Sequence, residues 1–178
     1  MAEVGEGGSD SESLCISCGI CCDGTLFNRV GIRNEADVES LQGTPVTIRT
    51  TDDEQWFSQP CVAFDGCCSI YEQRPTTCRK FACSLLHRHG AGEVSTEEAK
   101  RVIRQTIELR DKAVAAMRPL LPHTDMSFHE MQARASHARV AAGETTPEQI
   151  QMLLDIGATK RLISKHFAPK PPKVEPAA

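Results

Sequence analysis

The chain has 178 residues, of which 40% are hydrophobic, 25% are charged and only 4% are aromatic. This length fits one compact domain, or one domain with appendages, and supplies enough apolar residues for a core. No stretch approaches the roughly 18 consecutive apolar residues of a membrane helix. The acidic start of the chain also lacks the basic and apolar regions of a signal peptide. We therefore expect a cytoplasmic protein that does not enter a membrane.

Cysteine and charge are both distributed unevenly. All nine cysteines lie between Cys15 and Cys83. The cytoplasm disfavours disulfides, and nine cysteines in so short a span are too many to be only small buried hydrophobes. Residues 1–90 carry a net charge of −6 and residues 91–178 a net charge of +2. Because Lys and Arg form no stripe, nothing indicates binding to nucleic acid.

The first part of the chain begins with an acidic Gly/Ser-rich segment. Residues 1–13 are predicted to be a disordered tail. The cysteine run CISCGICC follows at 15–22. Apolar alternation predicts strands over 25–32 and 46–50. Between them, Asn34 as N-cap and acids in the first turn predict a short helix over 34–41.

A hairpin is predicted over residues 61–71, which read CVAF-DG-CCSIY. An Asp-Gly pair between two apolar runs favours a two-residue type I′ turn. That turn pairs Phe64 with Cys67. Cys61 and Cys68 then share one face of the hairpin, and Cys67 points to the other face.

A single helix is predicted from Pro75 to about Arg88, with Gly90 as the stop. On this helix Cys78 and Cys83 lie about 140° apart around the axis at 3.6 residues per turn. They would not converge on one metal unless the helix breaks.

Three longer helices are predicted in the second half. The first runs over 95–117 from a capping box of Ser95 and Glu98, and the second covers about 127–142. The third opens at Thr146-Pro147. Its apolar stripe is predicted to consist of Ile150, Leu153, Leu154, Ala158 and Leu162. Residues 168–178 are Pro-rich and are predicted to be a second disordered tail.

Together these elements predict an α+β fold. A small irregular cysteine-rich metal-binding domain with a short β-hairpin occupies residues 14–90. A helical region of about three helices occupies residues 94–167. The apolar stripes of these helices either pack on the cysteine-rich domain or bind a protein partner.

The spacing of the first cysteines indicates metal binding. Cys15, Cys18 and Cys21 form C-x2-C-x2-C, which matches the local run that holds a [4Fe–4S] cluster in bacterial ferredoxins. Gly19 lets backbone amides approach such a cluster. Zinc sites usually offer two separate C-x2-C pairs, and no second pair occurs here. The spacing therefore favours an iron–sulfur cluster, with zinc as the alternative. CISCGICC lacks the strand–helix context of a thioredoxin-type redox pair.

Residues 15–83 resemble the CxxCxxCC cysteine-cluster family of YkgJ-like proteins, described as a zinc- or iron-chelating domain. The resemblance rests on CISCGICC at 15–22, on CVAF at 61–64 and on CSIYEQRPTTCRKF at 68–81. It implies metal chelation. The ligands that it implies are Cys15, Cys18, Cys21, Cys22, Cys61, Cys68 and Cys78, with Cys83 as a further candidate.

Other residues near these cysteines have predicted roles. Cys67 is an addition to the family pattern and is predicted to be a thiol that binds no metal. Arg79 and Arg74 are predicted to offset thiolate charge or hydrogen-bond the sulfurs, with a surface salt bridge as the alternative. His87 could join Cys83 one helical turn away, but solvation at the helix end is favoured. Seven or eight thiolates are more than one tetrahedral site binds. The sequence is therefore compatible with one four-cysteine cluster supported by the other cysteines, or with two metal sites.

Three function classes follow. The first is a protein whose iron–sulfur cluster is structural or transfers electrons. The second is a structural zinc module whose helices recruit a partner. The third is an accessory or catalytic protein-modification enzyme, because some members of the resembled family are flagellin lysine N-methylases. No glycine-rich loop for S-adenosylmethionine follows a strand in this chain, so that activity would rest on analogy.

Overall fold

The computed structural model describes residues 10–121, 126–142 and 146–169. A small sheet and several short helices precede three long helices, which confirms the α+β class. In chain order the elements are α1 (Asp10–Cys18), β1 (Arg29–Ile32), α2 (Glu35–Ser40), β2 (Arg49–Thr50), β3 (Gln55–Ser58), α3 (Thr76–Lys80), α4 (Ser84–Gly90), α5 (Thr96–Met117), a 3-10 turn (Arg118–Leu120), α6 (Phe128–Ala142), α7 (Pro147–Leu162) and a π-helical turn (Ile163–Phe167).

The three strands form one antiparallel sheet in the order β1-β3-β2. Val30 of β1 lies opposite Phe57 of β3, and both side chains are buried. The predicted strands over 25–32 and 46–50 are present in shortened form. Strand β3 has a weak sequence signal because its outer residues, Gln55 and Ser58, are polar. It forms because Phe57 is buried in a cluster that also contains Leu41 and Ile70.

Capping residues start the helices where the sequence predicts them. The side chain of Asn34 accepts a hydrogen bond from the Asp37 N–H at 2.9 Å and caps α2. Ser95 does the same for α5 through the Glu98 N–H at 3.2 Å. Thr146 forms a reciprocal capping box at the start of α7. These side chains satisfy backbone N–H groups that have no partner inside the helix.

The buried face of α7 differs from the predicted stripe. Ile150 and Leu154 are 50% and 62% exposed, whereas Met152 and Ile156 are buried. Apolar residues occur all around α7, so their spacing does not select a face. Packing in a cluster with α5 and α6 selects it, and the buried members of this helical cluster are Ala113, Met117, Phe128, Ala135, Met152 and Ile156. Within the described part of the chain, no helix is long and apolar enough to cross a membrane.

The two halves of the chain share a hydrophobic cluster. Leu14 and Leu85 from the cysteine-rich half pack with Val102 and Ile103 of α5 and with Phe167. The predicted division into domains at about residue 90 therefore runs through a shared core, and it stays a prediction.

Each predicted tail includes a few residues with defined structure where it joins the rest of the chain. Helix α1 starts at Asp10, four residues inside the predicted N-terminal tail. At the other end, Ala168 accepts a hydrogen bond from the Ser84 N–H at 3.1 Å, and Pro169 forms a bridge with Cys83. The remainder of both tails, 1–9 and 170–178, lies outside the described residues.

Candidate metal centre

Helix α1 and the turn after it position the first four cysteines. Cys15 and Cys18 lie three residues apart on α1 and therefore near one another on its surface. Gly19 ends the helix with a φ of +67°, and the Phe64 ring lies directly against it. A Cβ at this position would be 1.9 Å from the Phe64 Cζ, so a larger residue would displace the ring. The glycine permits both the left-handed turn and this close approach.

Beyond this turn, Cys21 and Cys22 bring their sulfurs to 3.7 Å from each other. The segment with Cys22 also contacts the loop with Cys61, because the Cys61 N–H donates a hydrogen bond to the Cys22 carbonyl at 2.7 Å. A backbone hydrogen bond thus joins two segments that are about forty residues apart in sequence.

The loop after Cys61 is not the predicted two-residue hairpin. Phe64 bridges Cys68 instead of Cys67, and the Asp65 N–H donates to the Cys67 carbonyl at 3.2 Å. The loop therefore contains three residues, and the predicted register is wrong by one position. Phe64 also packs against Gly19, a contact with a distant residue that the Asp-Gly signal does not include. Cys67 is exposed, whereas Cys61 and Cys68 are partly buried.

The predicted helix over 75–88 is broken. Cys78 lies on α3, whereas Cys83 is the N-cap residue of α4. Between them Phe81 has extended backbone, and its ring packs edge-on against Phe27 with the centroids 5.0 Å apart. The bridge from Cys83 to Pro169 holds the start of α4 in place. The break removes the 140° separation of a continuous helix, and Cys78 and Cys83 border two adjoining cavities.

Asp37 anchors the start of α3. Its carboxylate accepts hydrogen bonds from the Thr76 N–H at 2.7 Å and from the Arg33 N–H at 3.1 Å. Burial opposes ionisation of Asp37, but these hydrogen bonds outweigh it and hold the pKa below its usual value. Arg79 is exposed, and its charge acts on Asp37 in the same direction.

Eight cysteines border two adjoining cavities. The larger, of about 690 Å³, is lined by Cys15, Cys21, Cys22, Cys61, Cys68 and Cys78. The smaller, of about 40 Å³, is lined by Cys15, Cys18, Cys21 and Cys83. Cys15 and Cys21 border both cavities. The eight are the cysteines predicted as ligands, and Cys67 lines neither cavity.

These cysteines gather around a shared space, but they are not held in a finished coordination geometry. Among the described residues, no group of three or more His, Cys, Asp or Glu side chains is arranged to hold a metal ion. The assignment of individual ligands therefore stays a prediction. His87 is exposed and His89 contacts Thr96, and neither lines a cavity.

The thiols are in an environment that opposes their ionisation. Burial raises the pKa of Cys15, Cys18, Cys61 and Cys83, and burial followed by neighbouring thiols raises the pKa of Cys78 to about 12. Cys21 is the exception, because a hydrogen bond from Cys22 lowers its pKa. The same hydrogen bond, followed by burial, raises the pKa of Cys22. Free thiolates are therefore disfavoured here, and a bound cation is the usual means of stabilising several of them together.

Arg74 is a cation that acts on the thiols. It lines the larger cavity, and its charge lowers the pKa of Cys15, Cys21 and Cys78 against the effect of burial. Its Nε donates to the Tyr71 carbonyl at 2.7 Å, and its guanidinium lies 3.3 Å from the centre of the Tyr71 ring. These contacts hold the cation in position beside the sulfurs.

An ion pair joins the cysteine loop to α5. Arg110 contacts Asp23 at 2.6 Å and Thr25 at 3.2 Å, and the side chains of Arg110 and Asp23 are only 17% and 14% exposed. No sequence signal indicates this pair, because its members are 87 residues apart. It fixes the residue directly after Cys22 against the long helix.

The comparisons with known proteins agree with this site. Residues 14–114 match the CxxCxxCC family, described as a "putative zinc- or iron-chelating domain". The match covers more than half of the chain, and the chain therefore belongs to this family. It extends into α5 and includes Arg110. No curated protein and no solved structure matches the chain.

Proposed function

We propose that the cysteines hold an iron–sulfur cluster with a structural or electron-transfer role in the cytoplasm. The observation that carries the proposal is the convergence of eight cysteines on two adjoining cavities that share Cys15 and Cys21. Eight sulfur donors exceed the four of a tetrahedral ion, and sulfur donors select iron–sulfur clusters, zinc or copper(I) over magnesium or calcium.

The donor set fits such a group. The six cysteines of the larger cavity and the C-x2-C-x2-C run that begins on α1 offer the thiolates that a cluster requires. When bound, the cluster would supply one-electron transfer or a rigid cross-link between segments. Arg74 would offset thiolate charge, and Phe64 and Ile70, which line the same cavity, would exclude water from the sulfurs.

Zinc is the second candidate, and one distance favours it. Two sulfurs bound to one zinc at about 2.3 Å in a tetrahedron lie roughly 3.8 Å apart. The Cys21 and Cys22 sulfurs are separated by 3.7 Å. In a cubane cluster each iron takes one cysteine, so this pair would have to serve separate irons or only one of its members would bind.

Metal and sulfide analysis of anaerobically purified protein decides between the two. An iron–sulfur protein is brown and contains iron and acid-labile sulfide in comparable amounts. A colourless protein with stoichiometric zinc would refute the cluster and support the second candidate. Protein that binds neither iron nor zinc tightly would refute the proposal altogether.

Two adjacent cysteines provide a matched control. Cys68→Ser removes a thiol that lines the larger cavity, and Cys67→Ser removes an exposed thiol one residue away. We expect Cys68→Ser, like Cys18→Ser, to lose at least half of the bound metal, whereas Cys67→Ser retains it. Equal loss in Cys67→Ser and Cys68→Ser would contradict the assignment of ligands to the cavity.

Two further roles stay predictions. A protein partner on the helical region would have Ile150 and Leu154 of α7 as its exposed apolar contacts. A protein-modification activity is supported only by the family resemblance to the flagellin lysine N-methylases.

A further inference from the structure

The larger cavity has more space than a metal centre fills. Four sulfurs about 2.3 Å from a zinc ion enclose a sphere on the order of 50 Å³. A cluster a few times that size still leaves much of the cavity's 690 Å³. Its walls also include the aromatic rings of Phe27, Phe57 and Phe81. Cavities of roughly 300–1,000 Å³ with mostly apolar walls are typical of small-molecule sites.

Apart from the thiols, the side chains that carry a charge at neutral pH and line this cavity in the described part of the chain are all cationic. Arg29, Arg33, Arg74 and Lys80 line it, and none of the described residues that line it is acidic. Cations alone at this cavity are unexpected from composition, because residues 1–90 contain seven Lys and Arg but thirteen Asp and Glu. Four of the seven cations thus lie at one cavity in the acidic half of the chain. Such an arrangement attracts an anion.

The four cations are not equivalent. Arg74 acts on the thiols and is held by Tyr71. Arg29 pairs with Glu54 at 2.5 Å and lies over the Trp56 ring. Arg33 follows β1 and Lys80 ends α3, two elements that pack together through a 2.6 Å hydrogen bond from Thr77 to Gly31. Arg33 and Lys80 are exposed cations that line the cavity from these two neighbouring elements, and neither forms an ion pair with another described residue, so they are the candidates for contact with an anionic group.

A buried amide in the cavity wall supplies an independent observation. Gln59 is only 4% exposed and lines the cavity, and its Oε1 is buried without a hydrogen-bond partner. Its backbone N–H is satisfied by the Asn28 carbonyl at 3.0 Å. A buried acceptor without a partner is unfavourable, and native proteins usually satisfy such an atom with water or a ligand. A ligand with an N–H or O–H group would do so.

We infer that the larger cavity is also a binding site for a small organic anion that has an apolar body and a hydrogen-bond donor. Arg33 and Lys80 bind its anionic group, the aromatic walls contact its body, and Gln59 Oε1 accepts its N–H or O–H. This site goes beyond the proposed metal binding. It does not depend on whether the metal is iron or zinc.

Calorimetric titration of the metal-loaded protein under nitrogen tests the site. The probes are hippurate, benzoate, phenylacetate and indole-3-acetate, each compared with its neutral methyl ester. Hippurate carries all three features: a carboxylate, an amide N–H and a phenyl ring. We expect at least one acid, hippurate first, to bind at least about tenfold more tightly than its ester, because the charge contributes to the affinity. If no acid binds more tightly than its ester, the inference is wrong.

Matched variants locate the anion. Arg33→Gln with Lys80→Gln should weaken binding of hippurate about tenfold. Lys100→Gln with Arg101→Gln makes the same charge change at exposed positions on α5 and should leave it unchanged. Equal weakening in the two double variants would show a general charge effect and overturn the site.

Gln59 is tested through its acceptor atom. Gln59→Met keeps the length of the side chain but removes the acceptor. It should weaken hippurate about fivefold and leave N-methylhippurate, which has no N–H, unaffected. The same loss for both compounds, or for neither, would refute the role of Oε1. Metal content is measured on every sample. Loss of anion binding at full metal content counts against this site alone, and anion binding without any metal counts against the proposed function alone.

Discussion

The cysteine-rich segment and the long helices are stabilised in different ways. Helices α5 and α7 begin at capped residues and pack Met117 and Met152 into one hydrophobic cluster. Between Cys15 and Cys83 the elements are short, and polar contacts such as that between Asp37 and Thr76 supplement a small hydrophobic cluster around Phe57. The helical part thus has an apolar core of its own, and the cysteine-rich part has one around Phe57, but we expect the cysteine-rich part to depend in addition on its polar contacts and on the proposed metal.

Removal of the metal should have the largest effect and should separate the two regions. Structural metal binding contributes on the order of 10 kcal/mol in small metal-dependent domains. After chelation under reducing conditions, we expect the amides of residues 61–83 to lose protection in hydrogen exchange, while the helical cluster of α5, α6 and α7 stays protected. Equal loss in α7 would contradict the comparison, and so would unchanged protection in residues 61–83.

A pair of substitutions on α7 tests the face that the structure assigns. Met152→Ala removes a buried side chain and should lower the free energy of unfolding by about 2–5 kcal/mol. Leu154→Ala removes an exposed one and should change it by about 0.5 kcal/mol or less. Denaturant unfolding measures both. A larger effect for Leu154→Ala would restore the face predicted from the sequence.

The ion pair between the two regions should have an intermediate effect. Arg110→Ala leaves the Asp23 carboxylate largely buried without its cation, and we expect a loss of about 2–3 kcal/mol. Arg101→Ala on the same helix removes an exposed pair with Glu98, separated by 3.9 Å, and should cost about 0.5 kcal/mol or less. If the two variants are equally stable, Arg110 does not connect the regions as the structure indicates.

Asp37→Asn should have the smallest effect, and that effect should depend on pH. The hydrogen bonds from Thr76 and Arg33 lower the pKa of Asp37, so its contribution is present above the pKa of the unfolded chain, near 3.9. The contribution is lost as the pH falls through the lower pKa of the folded protein.

We therefore expect Asp37→Asn to cost about 1–2 kcal/mol at neutral pH, and the difference from the wild type should shrink below about pH 4. Unfolding of both proteins at several pH values measures it. Glu39→Gln, a change on the same helix, is the control. A difference that stays constant down to the lowest pH would contradict the role of the ionised carboxylate.

Predictions from sequence succeeded where a few neighbouring residues determine the structure. Asn34, Ser95 and Thr146 each cap a helix because the cap and its N–H partner lie three residues apart. The spacing of the cysteines likewise indicates thiols around a shared site, because C-x2-C-x2-C brings its members together within a short stretch of chain. Both the helix caps and the cysteine run are determined by residues that lie within a few positions of one another in the sequence.

Predictions failed where a distant residue decides the outcome. The Asp-Gly pair favoured a two-residue turn, but contact of Phe64 with Gly19 accompanies a three-residue loop. The sequence from Pro75 suited one helix, but the contacts of Phe81 with Phe27 and of Cys83 with Pro169 accompany a break. Local propensity contributes less free energy than such packing, so the packed conformation forms when the two conflict.

The sequence by itself determined the family, the chemical type of the site and the starts of the main helices, because spacing and capping are local properties. Only the tertiary structure decided that the eight predicted cysteines divide between two adjoining cavities that share Cys15 and Cys21. It also placed four cations and the Gln59 acceptor around the larger cavity. These features bring together side chains from separate segments, so they depend on packing that no single segment encodes.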